Sequence, residues 1–131
     1  MKYEVKAIEN AKTGMKWSDV GCHPTLAQAY LYSKEAENEL PNFADVIWEH
    51  DIEEIIRDLK KFGIKEFTIS STFSSLIETI AKFEELGCKL DGIVRVKERY
   101  THFGSDEHAL IPAFKMEVTN YSKSSNFRKI I

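Results

Sequence analysis

The clearest pattern of apolar and polar positions lies within residues 51–86 and predicts two helices on either side of a strand. The first helix has its apolar side chains at helical spacing: Ile52, Ile55, Ile56, Leu59 and Phe62. Asp51 can cap its free N–H groups, and Gly63 can adopt the left-handed conformation that ends a helix. Residues 65–70 alternate as a strand does, and residues 75–86 repeat the helical pattern.

The first forty residues predict a β-hairpin followed by a helix. Apolar side chains fall on every second position of residues 3–7, and a glycine-containing turn at residues 11–14 separates them from a second strand. Thr25 and Gln28 have the spacing of a capping box. This box predicts a helix that runs through Glu39.

The last part of the chain predicts a second hairpin. An extended run at residues 93–100 and an alternating run at residues 110–118 are joined by a polar loop at residues 101–108. Pro112 lacks the N–H group that a sheet ladder needs, so it belongs at an edge of the sheet or at the start of a strand. An edge strand can pair with a second copy of the chain, and a homodimer is therefore one expectation.

Together these elements run in the order strand, strand, helix, helix, strand, helix, strand, strand. This order predicts an α+β fold with a small mixed or antiparallel sheet of about five strands and helices layered on one face. One domain would span residues 1–119. Residues 120–131 would then form a polar, basic and flexible tail.

The composition fits one globular domain. The chain has 131 residues, of which 43% are hydrophobic and 30% are charged. No apolar run approaches the roughly 18 residues of a membrane-spanning helix, and Glu4 and Glu9 interrupt the region where a signal peptide would be apolar. We therefore expect a cytoplasmic protein that does not enter a membrane. Cys22 and Cys88 form no C-x-x-C pair, so we expect reduced thiols.

Charge is distributed unevenly along the chain, whose formal net charge is −3. Residues 35–58 contain nine acids and one base, Arg57. The last residues instead carry Lys123, Arg128 and Lys129 and no acid. A net negative chain is unlike a general nucleic-acid binder, so direct binding to nucleic acid is not expected.

The acidic window also contains aromatic residues and is the first candidate for a binding site. Its predicted contact residues are Glu35, Glu37, Glu39, Phe43, Asp45, Trp48 and Glu49. Aromatic side chains rimmed by charge are typical of protein interaction surfaces, and a basic protein surface would be the complement. The same acids would equally form a solvated helix face, and Trp48 would equally be a core residue.

A hydroxyl-rich turn between the strand and the second helix is another candidate. Its members are Ser70, Ser71, Thr72, Ser74 and Ser75. Free N–H groups at a helix start attract anions, so a phosphate or a carboxylate could bind there. The turn has neither the glycine nor the lysine of a P-loop, and helix capping or turn formation explains the same residue types.

The loop at residues 101–108 offers possible metal ligands in His102, Asp106 and His108. The spacing of these residues matches no standard metal site. A solvated hairpin tip also needs polar residues and a glycine, here Gly104. The loop therefore has an ordinary explanation beside the metal hypothesis.

Few residues suggest catalysis. His50, Asp51 and Glu54 are close in sequence, but both acids already have a role at the predicted helix start. Cys22 and His23 are neighbours whose side chains would point apart, and no nucleophile motif occurs. The sequence therefore favours a protein that is not an enzyme, and it predicts no cofactor.

Residues 51–118 resemble a group of short uncharacterised bacterial proteins. The shared features are the strand G-I-K-E-F-T-I-S at residues 63–70, a helix that ends before Gly-Cys at residues 87–88, a G-x-V-x-V strand at residues 92–96, and Ile-Pro-Ala at residues 111–113. The resemblance implies an accessory role among phage, plasmid and conjugative-element genes. It supplies no catalytic residue.

The leading hypothesis is therefore a non-enzymatic accessory module that binds a protein through its acidic surface. The alternative is a small ligand-binding or anion-binding domain, or an enzyme, that uses the hydroxyl-rich turn. Binding to a basic protein and binding to an anion are the two outcomes that separate these hypotheses.

Overall fold

The computed structural model describes residues 1–12, 14–101, 104 and 106–119, so the predicted tail at residues 120–131 lies outside the described part. Over the described residues the helices are α1 Lys6–Glu9, α2 Trp17–Val20, α3 Pro24–Glu35, α4 Ile52–Lys61 and α5 Leu76–Glu85, with a 3₁₀ turn at Glu49–Asp51. The strands are β1 Asn42–Phe43, β2 Glu66–Ile69, β3 Cys88–Thr101 and β4 His108–Val118.

The strands form one mixed sheet in the order β1-β2-β4-β3. β1 and β2 are parallel, and the other two neighbouring pairs are antiparallel. The predicted α+β class is confirmed. The described residues contain four strands instead of about five, because the first segment of the chain is not a hairpin.

The predicted hairpin in the first twenty residues is wrong, because this segment forms helices α1 and α2. Val5 and Ile8 are both buried, and their spacing of three suits a helix and not an alternating strand. The N–H group of Val5 donates to the hydroxyl of Tyr30 in α3 at 3.0 Å. The backbone here is therefore tied to a helix instead of to a neighbouring strand.

The core lies between one face of the sheet and helices α3, α4 and α5. The ring of Phe67 lies 5.5 Å from that of Phe43 and 5.2 Å from that of Phe83. Further members of the same cluster are Leu26, Tyr30, Ile55, Leu59, Ile69 and Met116. Phe67 and Met116 are paired across β2 and β4, so they share this face. Burying one such side chain contributes about 1.5–3 kcal/mol, which holds the helices against the sheet.

Helices α4 and α5 begin and end within one residue of their predicted bounds. Helix α3 differs at both ends. It stops at Glu35 and not at Glu39, because Glu37 has a left-handed φ of 62° that a helix cannot continue. At its start the N-cap is His23, whose side chain accepts from the N–H of Thr25, so the predicted capping box does not form.

The prediction that residues 110–118 form an edge strand is wrong for most of β4, which lies between β2 and β3. β2 pairs with β4 only over residues 114–117. Val118 donates its N–H to the carbonyl of Lys65 on the β2 side at 2.8 Å. Backbone groups alternate in direction along a strand, so Pro112 faces the same side, beyond the end of β2. Its missing N–H breaks no ladder bond there. Within β4 only this short segment is left unpaired, and the homodimer stays a prediction.

The two edges of the sheet approach each other because the β3–β4 hairpin curls. Gly92, with φ of 92°, lies at a bulge in β3, and bulges bend a strand. Beyond the bulge, the N–H of Lys97 donates to Oδ1 of Asn38 at 2.8 Å, and Nδ2 of Asn38 donates to the carbonyl of Lys97 at 3.0 Å. Arg99 then pairs with Asp45 at 2.6 Å. These contacts hold the segments on either side of β1 against the far edge of the sheet.

Candidate functional site

The segment at residues 44–50, which links β1 to α4, holds a tryptophan at the surface. In its middle, Ile47 is 2% exposed, and its carbonyl accepts a hydrogen bond from the hydroxyl of Thr79 at 3.5 Å. Its neighbours Val46 and Trp48 are 41% and 61% exposed, since side chains alternate in direction along an extended segment. Ile47 therefore anchors the segment and leaves Trp48 in solvent.

Acidic side chains flank Trp48 along the chain. The side chain of Asp45 is 62% exposed although it pairs with Arg99. Glu49 and Glu53 are exposed as well. We call the group formed by Asp45, Val46, Trp48, Glu49 and Glu53 the Trp48 surface. It combines exposed apolar side chains with negative charge.

The other acids of the window have different surroundings. Asp58 is buried and accepts the backbone N–H of His23 at 2.9 Å. It therefore joins α4 to the start of α3 and is not part of a surface. Three predicted contact residues are exposed but precede β1: Glu35, Glu37 and Glu39. The Trp48 surface follows β1, whose two residues are buried. The negative charge is therefore divided into two stretches.

Phe43, predicted as a contact residue, does not reach the surface. Its side chain is 2% exposed and packs edge-on against Phe67. The parallel pairing of β1 with β2 directs it into the core. A partner could not touch this ring, and its inclusion in the predicted contact set is wrong.

Arg99 is a residue at this site that sequence reasoning missed. Its guanidinium lies 3.9 Å from the centre of the Tyr32 ring and bonds to the carboxylate of Asp45. Arginine is attracted both to the face of an aromatic ring and to a carboxylate. No local signal marks Arg99, because the curl of the hairpin alone brings it to α3 and to the end of β1.

The hydroxyl-rich turn is partly occupied by contacts within the chain. Ser70 Oγ accepts from Nδ2 of Asn42 at 2.9 Å, and the hydroxyl of Ser71 donates to the carbonyl of Phe43 at 3.4 Å. The remaining three members, Thr72, Ser74 and Ser75, are exposed. Ser75 makes no side-chain cap to α5. Anion binding at this turn stays a prediction.

The predicted metal ligands fall in and around the hairpin loop. His102 lies outside the described residues, and Asp106 is exposed. Nδ1 of His108 lies 2.6 Å from the carbonyl oxygen of Glu98, a contact that fixes this ring against β3. The described part of the loop therefore holds one of the two histidines in a hydrogen bond, and the metal hypothesis stays a prediction.

His23, Asp51 and Glu54 come together although sequence reasoning grouped the two acids with His50. Nε2 of His23 lies 3.2 Å from Asp51 and 3.7 Å from Glu54. Its Nδ1 accepts the N–H of Thr25 at 3.1 Å, so Nε2 is the nitrogen that carries the hydrogen. A metal ligand or a general base would need a free lone pair at Nε2. The arrangement is therefore that of a hydrogen-bonded junction between α3 and α4.

The described part of the chain contains no helix that is both long and apolar enough to cross a bilayer. Neither a curated protein nor a solved structure shows significant similarity to the chain. Residues 25–118 match the family described as a domain of unknown function, DUF7698. The match begins in α3 and ends with β4, so it includes the whole sheet and the Trp48 surface. The chain belongs to the DUF7698 family.

Proposed function

We propose that this protein is a non-enzymatic accessory module that binds a basic protein surface through the Trp48 surface. The observation that carries the proposal is the 61% exposure of Trp48 on a segment fixed by the buried Ile47. A large aromatic side chain contributes strongly to association when a partner buries it. A partner would bury the Trp48 ring, which the chain itself leaves exposed.

The tryptophan and the acids would have different roles in binding. Tryptophan is common among the central residues of protein interfaces, where its truncation costs at least about 2 kcal/mol of binding free energy. Exposed carboxylates such as Glu49 and Glu53 mainly accelerate association and make it sensitive to salt. We therefore expect an affinity that depends on Trp48 and falls as the ionic strength rises.

Contacts within the chain support a basic partner. Arg99 already lies between the ring of Tyr32 and the carboxylate of Asp45. Trp48 offers an exposed aromatic face to an arginine of another protein, and the exposed carboxylates of Asp45 and Glu49 add negative charge in the same segment. The three exposed glutamates before β1 add negative charge that would attract such a partner from a distance.

The resemblance noted in the sequence supports a partner that acts with a phage, plasmid or conjugative element in the bacterial cytoplasm. A basic protein that normally holds nucleic acid would complement the acidic surface. Direct binding to nucleic acid is outside the proposal, because the net charge of the chain is −3.

The test is quantitative capture of proteins from a lysate of the native host, followed by mass spectrometry. The full chain is compared with Trp48→Ala and with Ile77→Ala. Ile77 is a control, since its side chain is 81% exposed on α5 and lies outside the Trp48 surface. We expect Trp48→Ala to lose a basic protein that the wild type and Ile77→Ala both retain.

A second variant tests the glutamates before β1. Reversing Glu35, Glu37 and Glu39 to lysine is expected to slow association with the captured protein, most clearly at low ionic strength. Identical capture by the wild type and by Trp48→Ala would contradict the proposal.

A further inference from the structure

A cavity of about 190 Å³ opens where the β3–β4 hairpin extends beyond the end of β2. Its walls are mainly apolar and include Leu76, Ile93, Pro112 and Phe114. Ile93 pairs with Phe114, which also pairs with the core residue Ile69. The cavity is therefore a continuation of the core face of the sheet that the helices leave uncovered. Ile93 is 68% exposed in this position.

Ser70 and Thr72, on the cavity rim, follow the carboxyl end of β2. The size of the cavity is informative, because an apolar cavity of roughly 150 Å³ holds one benzene-sized molecule.

The lining indicates what kind of molecule fits. No charged side chain lines the cavity among the described residues, so an ion finds no counter-charge there. Pro112 faces the open side of β4 without an N–H group, which disfavours an added peptide strand. The hydroxyl of Ser70 accepts from Asn42, whose side-chain oxygen accepts from Thr68, so this hydroxyl lies on the side of β2 opposite to Ile69. The lining on the core face is therefore apolar.

We infer that this cavity binds a small uncharged molecule consisting of one aromatic ring or a branched hydrocarbon group. This molecule contacts Leu76, Ile93 and Phe114. The inference is independent of the proposed protein binding, because the cavity shares no residue with the Trp48 surface.

The experiment titrates the full chain with phenol, toluene and inorganic phosphate while its amide chemical shifts are recorded. Phenol and toluene are expected to shift the amides of residues 70–76 and of Ile93 in a saturable way. Phosphate should leave these amides unchanged. The absence of saturable shifts with both ring compounds, or a response to phosphate alone, would overturn the inference.

Two exposed isoleucines provide a matched pair of variants. Ile93→Glu places a charge in the cavity wall and should weaken phenol binding about tenfold or more. Ile77→Glu makes the same change on α5 at a side chain that is 81% exposed and does not line the cavity, so phenol affinity should not change.

Unchanged phenol affinity in Ile93→Glu would show that the molecule binds elsewhere and would overturn the inference.

Discussion

The side-chain amide of Asn38 makes with Lys97 the two hydrogen bonds that a neighbouring strand would make, at 2.8 and 3.0 Å. β3 is an edge strand, and unpaired backbone groups at an edge can recruit other chains. Asn38 satisfies the backbone groups of this edge at Lys97, although Asn38 and Lys97 are 59 positions apart in the sequence. The same contact keeps the hairpin close to Asp45, so the Trp48 surface depends on it.

Asn38→Ala is expected to lower the free energy of unfolding by about 2 kcal/mol, because it leaves the N–H and carbonyl groups of Lys97 without partners. Asn38→Asp should cost a comparable amount, since it places a second oxygen against the carbonyl. Urea unfolding followed by circular dichroism measures both variants. Gln28→Ala, which truncates an exposed amide on α3, is the control. Wild-type stability in Asn38→Ala would mean that the pair contributes nothing.

His23 tests whether the junction between α3 and α4 is held by a cap or by a charge contact. His23→Ala removes the cap to Thr25 and the contact with Asp51, and should cost about 1–2 kcal/mol of stability. His23→Asn retains a side-chain oxygen that can cap the helix, so it should cost less. Chemical denaturation compares the two variants. Equal losses would assign the stabilisation to the contact with Asp51.

The buried thiol of Cys88 gives a dependence of stability on pH. Burial raises its pKa from an ordinary value of 9.0 to about 12. Below pH 9 the thiol is protonated in both states, and above it the unfolded chain releases a proton that the folded chain keeps. Stability is therefore full below the unfolded pKa and falls as the pH rises towards the folded pKa, by at most about 1.4 kcal/mol per pH unit.

The measurement for this thiol is the difference in unfolding free energy between the wild type and Cys88→Ala, from about pH 8 to about pH 10. The variant lacks the thiol but retains the tyrosines and lysines that titrate in the same range. The free energy of unfolding of Cys88→Ala should therefore rise relative to that of the wild type as the pH increases. A constant difference would show that the thiol ionises as easily in the folded chain as in the unfolded chain.

Local signals explain why α4 could be predicted from the sequence and α1 could not. The apolar spacing of α4 and the glycine after it act within a few residues. In the first segment, the decisive contact is that of the Val5 N–H with Tyr30, which no local pattern reveals. The central place of β4 also depends on strand pairing, which alternation alone does not specify.

The same distinction applies to the candidate sites. Phe43 and Trp48 are both aromatic residues among acids, and the sequence does not show which one is buried. The pairing of β1 with β2 decides this, because it directs Phe43 onto Phe67. His23 could have been recognised as an N-cap only from its place before Pro24, and its contact with Asp51 needs the packing of α3 against α4.

Phe43 and Trp48 also provide a decisive comparison of stability with binding. Phe43→Ala should cost about 3–5 kcal/mol, because it leaves a cavity in the core. Trp48→Ala should change stability by no more than about 0.5 kcal/mol, because its ring is 61% exposed, yet it should lose the captured basic protein. Phe43→Leu keeps most of the apolar volume and should retain the partner. Urea unfolding and protein capture are measured on each folded variant. A large loss of stability in Trp48→Ala would mean that the ring belongs to the core, and it would remove the basis for a binding surface at Trp48.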